Sequence, residues 1–253
     1  MTELEVSEPN QAGRPPGPEV ELLLLPGLDG TGRLFSPLLG SLPAFLRPRT
    51  VAYANEKLLT YTQLQEQVEK ELPAARPFAL LGESFSGPIA IRIAANGPVG
   101  LVCLVLVATF DWSPLHSLPR PILRGAAHIA VVLRSTEAMR RILAGRDVPA
   151  TLLVEIDSVA RSVGAPLLRR RLMDALAADA RAEFQAVNLP ILYLGGRRDL
   201  LVPRFIPKAM MRRQPRMEYM WLDAPHMVLQ CRPAEAARAI GEFVGCAVAS
   251  YRG

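Results

Sequence analysis

The chain has 253 residues, half of them hydrophobic and 21% charged, with 23 prolines and a formal net charge of +5. That length and composition fit one large domain with a sizeable buried core and exclude global disorder. The positive charge is mostly scattered arginine, without a polybasic run or interleaved aromatics, which argues against nucleic-acid binding and leaves an acidic protein partner as its better use.

Residues 1–18, rich in Pro, Gly and Glu, read as a flexible leader. Glu3, Glu5 and Glu8 and the lack of an apolar stretch set this segment apart from a secretory signal. No run approaches the ~18 apolar residues of a membrane span. The three cysteines, Cys103, Cys231 and Cys246, are too few and too irregularly spaced for a disulfide scaffold or a zinc site. Each is expected as a small core residue, and the expected compartment is the cytoplasm.

Val20–Leu25 is a short apolar run of the kind found in strands buried on both faces, and it stops at Pro26-Gly27. Helical spacing covers Leu34–Leu42, and a strand is expected over Arg49–Tyr53. Tyr61–Leu72 is an amphipathic helix with Thr60 or Thr62 as its cap. Strand Phe78–Leu81 and helix Gly87–Ala95 follow, then Leu101–Val107, the most hydrophobic strand of the chain. After a long gap come strands Ile191–Leu194 and Met217–Leu222 and a closing helix, Ala234–Ser250. This alternation predicts an α/β fold: a mostly parallel central sheet with helices on both faces. From Trp112 to about Ala186 the alternation stops, and only helical patterns occur: Ala126–Arg134, Glu137–Leu143, Ala150–Arg161 and Leu167–Ala178. The layout is therefore residues 19–253 as one domain, with an all-helical cap over about 112–186.

Between strand and helix stands Gly82-Glu83-Ser84-Phe85-Ser86-Gly87. A serine at such a turn is held in strained geometry, exposed at the strand end and at a helix N-terminus. Its neighbours must be small because strand and helix converge there. Ser86 stands where a second glycine is usual. Ser84 is thus the candidate nucleophile. It needs a general base, and of three histidines only His226 follows a strand; His116 and His128 lie in the helical insertion. The imidazole in turn needs a carboxylate. Asp199, after the strand and Gly195-Gly196, is the preferred acid, with Asp111 and Asp223 as rivals.

In the order serine, acid, histidine, these motifs resemble the α/β-hydrolase superfamily over roughly residues 20–250. The resemblance implies the α/β-hydrolase fold and a Ser84–His226–Asp199 triad working through an acyl-enzyme. It also implies an oxyanion hole from the backbone N–H groups of Leu28, in Pro26-Gly27-Leu28-Asp29-Gly30-Thr31-Gly32, and of Phe85. No metal or organic cofactor is implied. The glycines after the first strand match neither G-x-G-x-x-G nor a phosphate loop ending in Lys-Ser/Thr. Ester hydrolysis leads; thioesterase or acyltransferase chemistry uses the same triad, and a non-catalytic binding protein of the same fold is a further alternative. The cap region holds eleven arginines against seven acids. In the similar pimeloyl-acyl-carrier-protein methyl ester esterases a basic cap is implied to receive an acidic carrier, so Arg120, Arg124, Arg134, Arg140, Arg141 and Arg169-Arg170-Arg171 are candidates for docking an acyl carrier protein. The apolar cap residues Leu115, Leu118, Ile122, Ile129, Val131, Val132, Leu133, Leu152 and Leu153 are expected to line an acyl pocket or to form the cap's own core.

Overall fold

A computed structural model describes residues 19–74, 76–133, 136–145 and 148–251. The expected leader, residues 1–18, lies outside them. Six strands among the described residues form one sheet: β1 (Val20–Leu25), β2 (Leu46–Thr50), β3 (Phe78–Glu83), β4 (Leu101–Val107), β5 (Ile191–Gly196) and β6 (Glu218–Leu222). Their spatial order is β2-β1-β3-β4-β5-β6, and every neighbouring pair is parallel. The helices are α1 (Ser36–Leu39), α2 (Tyr61–Glu69), α3 (Gly87–Ala95), α4 (Arg120–Leu133), α5 (Glu137–Ala144), α6 (Ala150–Ser162), α7 (Ala165–Leu176), α8 (Arg181–Ala186), α9 (Phe205–Arg213), α10 (Val228–Cys231) and α11 (Pro233–Ser250).

Successive strand side chains point to opposite faces, so a continuous apolar run supplies two cores at once. Leu23, Leu25 and Leu80 pack under Leu64 and Val68 of α2, Ile89 and Ile93 of α3, Phe184 of α8 and Ile206 of α9. Leu22, Leu24, Leu81 and Val105 pack on the other face against Leu38 of α1 and Ile240 and Val244 of α11. At the N-terminus of α2, Thr60 and Gln63 form a reciprocal capping box.

Three expectations shift. The second strand lies at Leu46–Thr50, earlier than Arg49–Tyr53. It is an edge strand, so its register follows pairing with β1 rather than burial, and the buried Val51 and Tyr53 belong to the loop after it. Pro48 sits on this edge, and Arg47 and Arg49 pair with Glu19 and Glu21; charge and proline discourage further strand addition. Cys103 is buried, but Cys246 is exposed and is not a core residue. Of the cap's apolar residues, Val131 and Leu152 are buried, whereas Leu115, Leu118, Ile122, Ile129, Val132 and Leu133 are exposed.

The helical excursion leaves the sheet after β4 and closes on itself. Trp112 bridges Asp179 antiparallel, Ser113 N–H donates to Ala178 O (2.9 Å), and Ala180 N–H donates to Asp111 O (2.7 Å). Helices α4 to α7 lie between these two ends, with α4 packed on α7, while α8 returns to pack on α3.

Candidate active site

In an all-parallel sheet every strand ends at the same edge, and loops after neighbouring strands meet there. Ser84 follows β3, Asp199 follows β5 and His226 follows β6. Ser84 Oγ lies 2.8 Å from His226 Nε2, and His226 Nδ1 lies 2.9 Å from Asp199 Oδ2. The carboxylate only accepts, so Nδ1 carries the ring proton and Nε2 is left to accept from the serine hydroxyl. Asp199 Oδ1 takes the N–H groups of Leu201 (2.8 Å) and Val202 (2.9 Å), which fix the carboxylate's orientation. The side chains of His226 and Asp199 are only 8% and 4% exposed, so water competes little for these bonds. Gly196 makes the approach of the two loops possible, because a Cβ there would overlap the Pro225 carbonyl.

The rival acids lie elsewhere. Asp111 is fully buried and accepts from Arg213 Nη1 at 2.9 Å; burial pushes its carboxyl up to about 6 against the pull of that arginine. Asp223 is exposed and pairs with Arg198 and Arg232. His116 bonds the Ser113 carbonyl and neighbours Asp179, and His128 is exposed on α4.

The turn carrying Ser84 is strained: its φ is +48°, in the left-handed region that side chains avoid. Two glycines permit the turn. A Cβ on Gly82 would lie 2.8 Å from Ala90 Cβ, and one on Gly87 would overlap Thr109. Ser86, in the place of the usual second glycine, is more than small enough. It is fully buried, and its hydroxyl donates to the Pro26 carbonyl. That commits its one proton, so Tyr53 OH is the donor in the Tyr53–Ser86 bond. Burial drives the Tyr53 phenol well above its ordinary value and keeps it protonated for that role. The substitution thus ties the serine turn to the loop after β1.

The two expected oxyanion donors sit on these same segments, which adjoin because Leu25 of β1 pairs with Gly82 of β3. In a trans peptide the N–H points opposite to the preceding C=O. Thr109 Oγ1 donates to the Ser84 carbonyl, which aims the Phe85 N–H away from Thr109. Tyr61 OH donates to the Phe85 carbonyl at 2.8 Å, and Tyr193 OH holds the Thr109 carbonyl at 2.9 Å. In the first loop, Gly30 N–H donates to the Gly27 carbonyl at 3.0 Å, which sets the Leu28 N–H in the opposite direction. These pinning residues carry no sequence signature; Thr109, Tyr53, Tyr61 and Tyr193 come from four separate segments.

Directly before the serine, Glu83 is buried. Its Oε1 accepts from Gln230 Nε2 at 2.9 Å, and the Gly27 N–H also bonds its carboxyl. Burial raises this carboxyl to about 7 despite those donors. Gln230 Oε1, equally buried, has no partner among the described residues.

No family model and no curated protein sequence matches the chain. Solved structures do. An esterase from Exiguobacterium antarcticum superposes with a TM-score of 0.78 at 14% identity, covering 90% of this chain and 93% of its own. An enol-lactonase from Burkholderia xenovorans LB400 gives 0.70 at 20% identity over 92% and 94%. A bromoperoxidase from Bacillus anthracis gives 0.74 at 17% identity over 90% and 93%. This chain has the α/β-hydrolase fold. The identities show the fold alone, and the three names span different chemistries, so on an α/β-hydrolase scaffold function must come from the site.

The cap meets that site at two places. Val131, Val163, Leu167 and Leu168 cluster with Leu28 on one side. Ala144, Leu152 and Ile156 cluster with Met227, beside His226, on the other, and Met227 N–H donates to the Leu143 carbonyl at 2.9 Å. The proposed arginine face is altered by burial and pairing. Arg171 is 1% exposed and belongs to the interior, so the expectation that it presents a docking surface is corrected. Arg140 pairs with Glu137 and Asp157, Arg141 with Glu137, and Arg170 with Asp174. Arg134 lies outside the described residues.

Proposed function

We propose that this protein is a serine hydrolase that cleaves carboxylic esters through an acyl-enzyme. The observation that carries the reading is the unbroken hydrogen-bonded line Ser84–His226–Asp199, starting at a strained turn at the sheet edge. As Ser84 Oγ attacks the ester carbonyl, His226 Nε2 takes its proton, and Asp199 stabilises the imidazolium that forms. The Leu28 and Phe85 N–H groups face the developing oxyanion. His226 then protonates the leaving alcohol, and water repeats the sequence on the acyl-enzyme. Leu28 and Met227, each under an apolar cap cluster, favour a substrate with apolar groups on either side of the ester. A free ester fits better than one presented by an acidic carrier protein, because Arg171 is buried and Arg140, Arg141 and Arg170 are engaged by acids of the cap, while Arg120 and Arg124 stay exposed.

A fluorophosphonate probe should label Ser84, and Ser84→Ala should abolish both labelling and hydrolysis of a nitrophenyl ester series, a loss on the order of 10⁴-fold or more. Failure of the parent chain to label, together with no turnover at any acyl length or of the matching thioesters, would overturn the proposal in favour of a binding protein.

A further inference from the structure

Arg171, on cap helix α7, is the largest fully buried side chain among the described residues. A guanidinium is almost never taken out of water without a carboxylate partner, because its charge is costly to desolvate. Here its hydrogen-bond partners are neutral oxygens, and the Asp29 carboxylate acts on its charge without bonding it. Nη1 donates to the carbonyls of Leu28 (3.2 Å) and Asp29 (2.6 Å), and Nη2 donates to Asn55 Oδ1 (3.0 Å). The guanidinium also stacks 5.6 Å from the centre of the Tyr53 ring, the same tyrosine that bonds Ser86 in the serine turn. The loop is cut to fit it: Gly30 has φ +71°, and a Cβ there would overlap the guanidinium.

We propose that Arg171 is a positioning residue for the oxyanion donor, holding the loop after β1 so that the Leu28 N–H faces the reacting carbonyl. The idea rests on the ester-hydrolase reading above. The residues Gly27 to Gly30 form a turn closed by the Gly30 N–H to Gly27 carbonyl bond. The Leu28 N–H belongs to the Gly27–Leu28 peptide, which that bond orients; the turn keeps this shape only while its central peptide, Leu28–Asp29, which flips most readily between turn types, stays in place. Arg171 grips that peptide's carbonyl and the next one. Upstream, Ser86 grips the Pro26 carbonyl, and downstream Tyr53 N–H holds the Gly30 carbonyl at 2.8 Å. With Arg171 in place, every carbonyl from Pro26 to Gly30 has a donor, and the Leu28 N–H is clamped between fixed peptide planes. Helix α7 also supplies Leu167 and Leu168 to the cluster around the Leu28 side chain. One cap helix thus carries both the apolar contact to the Leu28 side chain and the hold on the Leu28 carbonyl.

The test compares the parent chain with Arg171→Met, which keeps length without charge, and Arg171→Lys, which keeps charge and some donors. Both are first checked for folding by thermal melting. Each is then assayed on a nitrophenyl ester and on the thionoester that replaces its carbonyl oxygen with sulfur, a poor acceptor for N–H donors. Arg171→Met should lower kcat for the ester about 10- to 100-fold with KM within about threefold, since a displaced donor acts on the transition state. It should lose far less on the thionoester, so the ester-to-thionoester preference falls about tenfold or more, and Arg171→Lys should lie between it and the parent. A folded Arg171→Met with unchanged ester kcat, or with equal losses on both substrates, would overturn the proposal. If the parent chain hydrolyses no ester, the ester-hydrolase reading fails, and amide exchange decides the loop hold alone. Exchange of the Leu28–Gly30 amides at least about tenfold faster in Arg171→Met supports the hold, and equal exchange overturns it.

Discussion

Glu83 gives the sharpest stability prediction. Its carboxyl stands at about 7 in the folded chain against 4.5 ordinarily, because burial penalises the ionised form. A raised carboxyl means that the folded state binds the proton more tightly than the unfolded one. The stability this confers is full below pH 4.5 and is lost as pH rises through 7. The whole shift corresponds to about 3 kcal/mol, most of which should disappear between pH 5 and pH 8. Glu83→Gln removes the titration while keeping the shape, and its new amide can donate to the unpartnered Gln230 Oε1. Urea denaturation of both proteins at pH 5, 6, 7 and 8 isolates the effect, since every other titrating group is common to the pair. Relative to the parent, the variant should gain about 2–3 kcal/mol across that range, with unchanged m-values. Stability curves that run parallel from pH 5 to pH 8 would refute the assignment of a protonatable, buried Glu83.

Three other substitutions bear on the site. Asp199→Asn should reduce kcat on the order of 10³- to 10⁴-fold by misorienting the imidazole, whereas Asp111→Asn should leave kcat within about threefold, because Asp111 bonds Arg213 and not His226; steady-state kinetics on one nitrophenyl ester distinguishes them, and the reverse order would move the acid. Gly87→Ala should force Thr109 away from the Ser84 carbonyl, costing about 1–3 kcal/mol in denaturation experiments and lowering kcat through the released Phe85 N–H; a variant as active and stable as the parent would contradict the packing at the turn.

Much of this molecule is written locally. The apolar runs at Val20, Phe78, Leu101 and Ile191 mark strands because nothing but a doubly covered sheet can bury them. Gly82, Ser84 and Gly87 mark the turn because only small residues fit where strand meets helix. Ser84, His226 and Asp199 are recognisable by type and by their places after strands. The second strand was harder to place, since an edge strand with Pro48 and two arginines has little apolar pattern. The cap's apolar residues also misled: α4 is apolar on two sides, and hydropathy alone does not say which side is buried.

Local patterns suffice for an alternating α/β chain with a helical insertion, and for the candidate serine, base and acid, because each depends on residues within a few positions of one another. The remainder depends on long-range packing. Asp199 rather than Asp111 or Asp223 meets His226 because β5 and β6 lie side by side and Gly196 lets their loops touch. Ser86 became a bridge because β1 pairs with β3. Arg171, one of three consecutive arginines and expected at the surface, is drawn inward because it alone faces the carbonyls of a loop 142 residues away. Contacts over such separations depend on which elements the fold makes neighbours, and no local pattern encodes that.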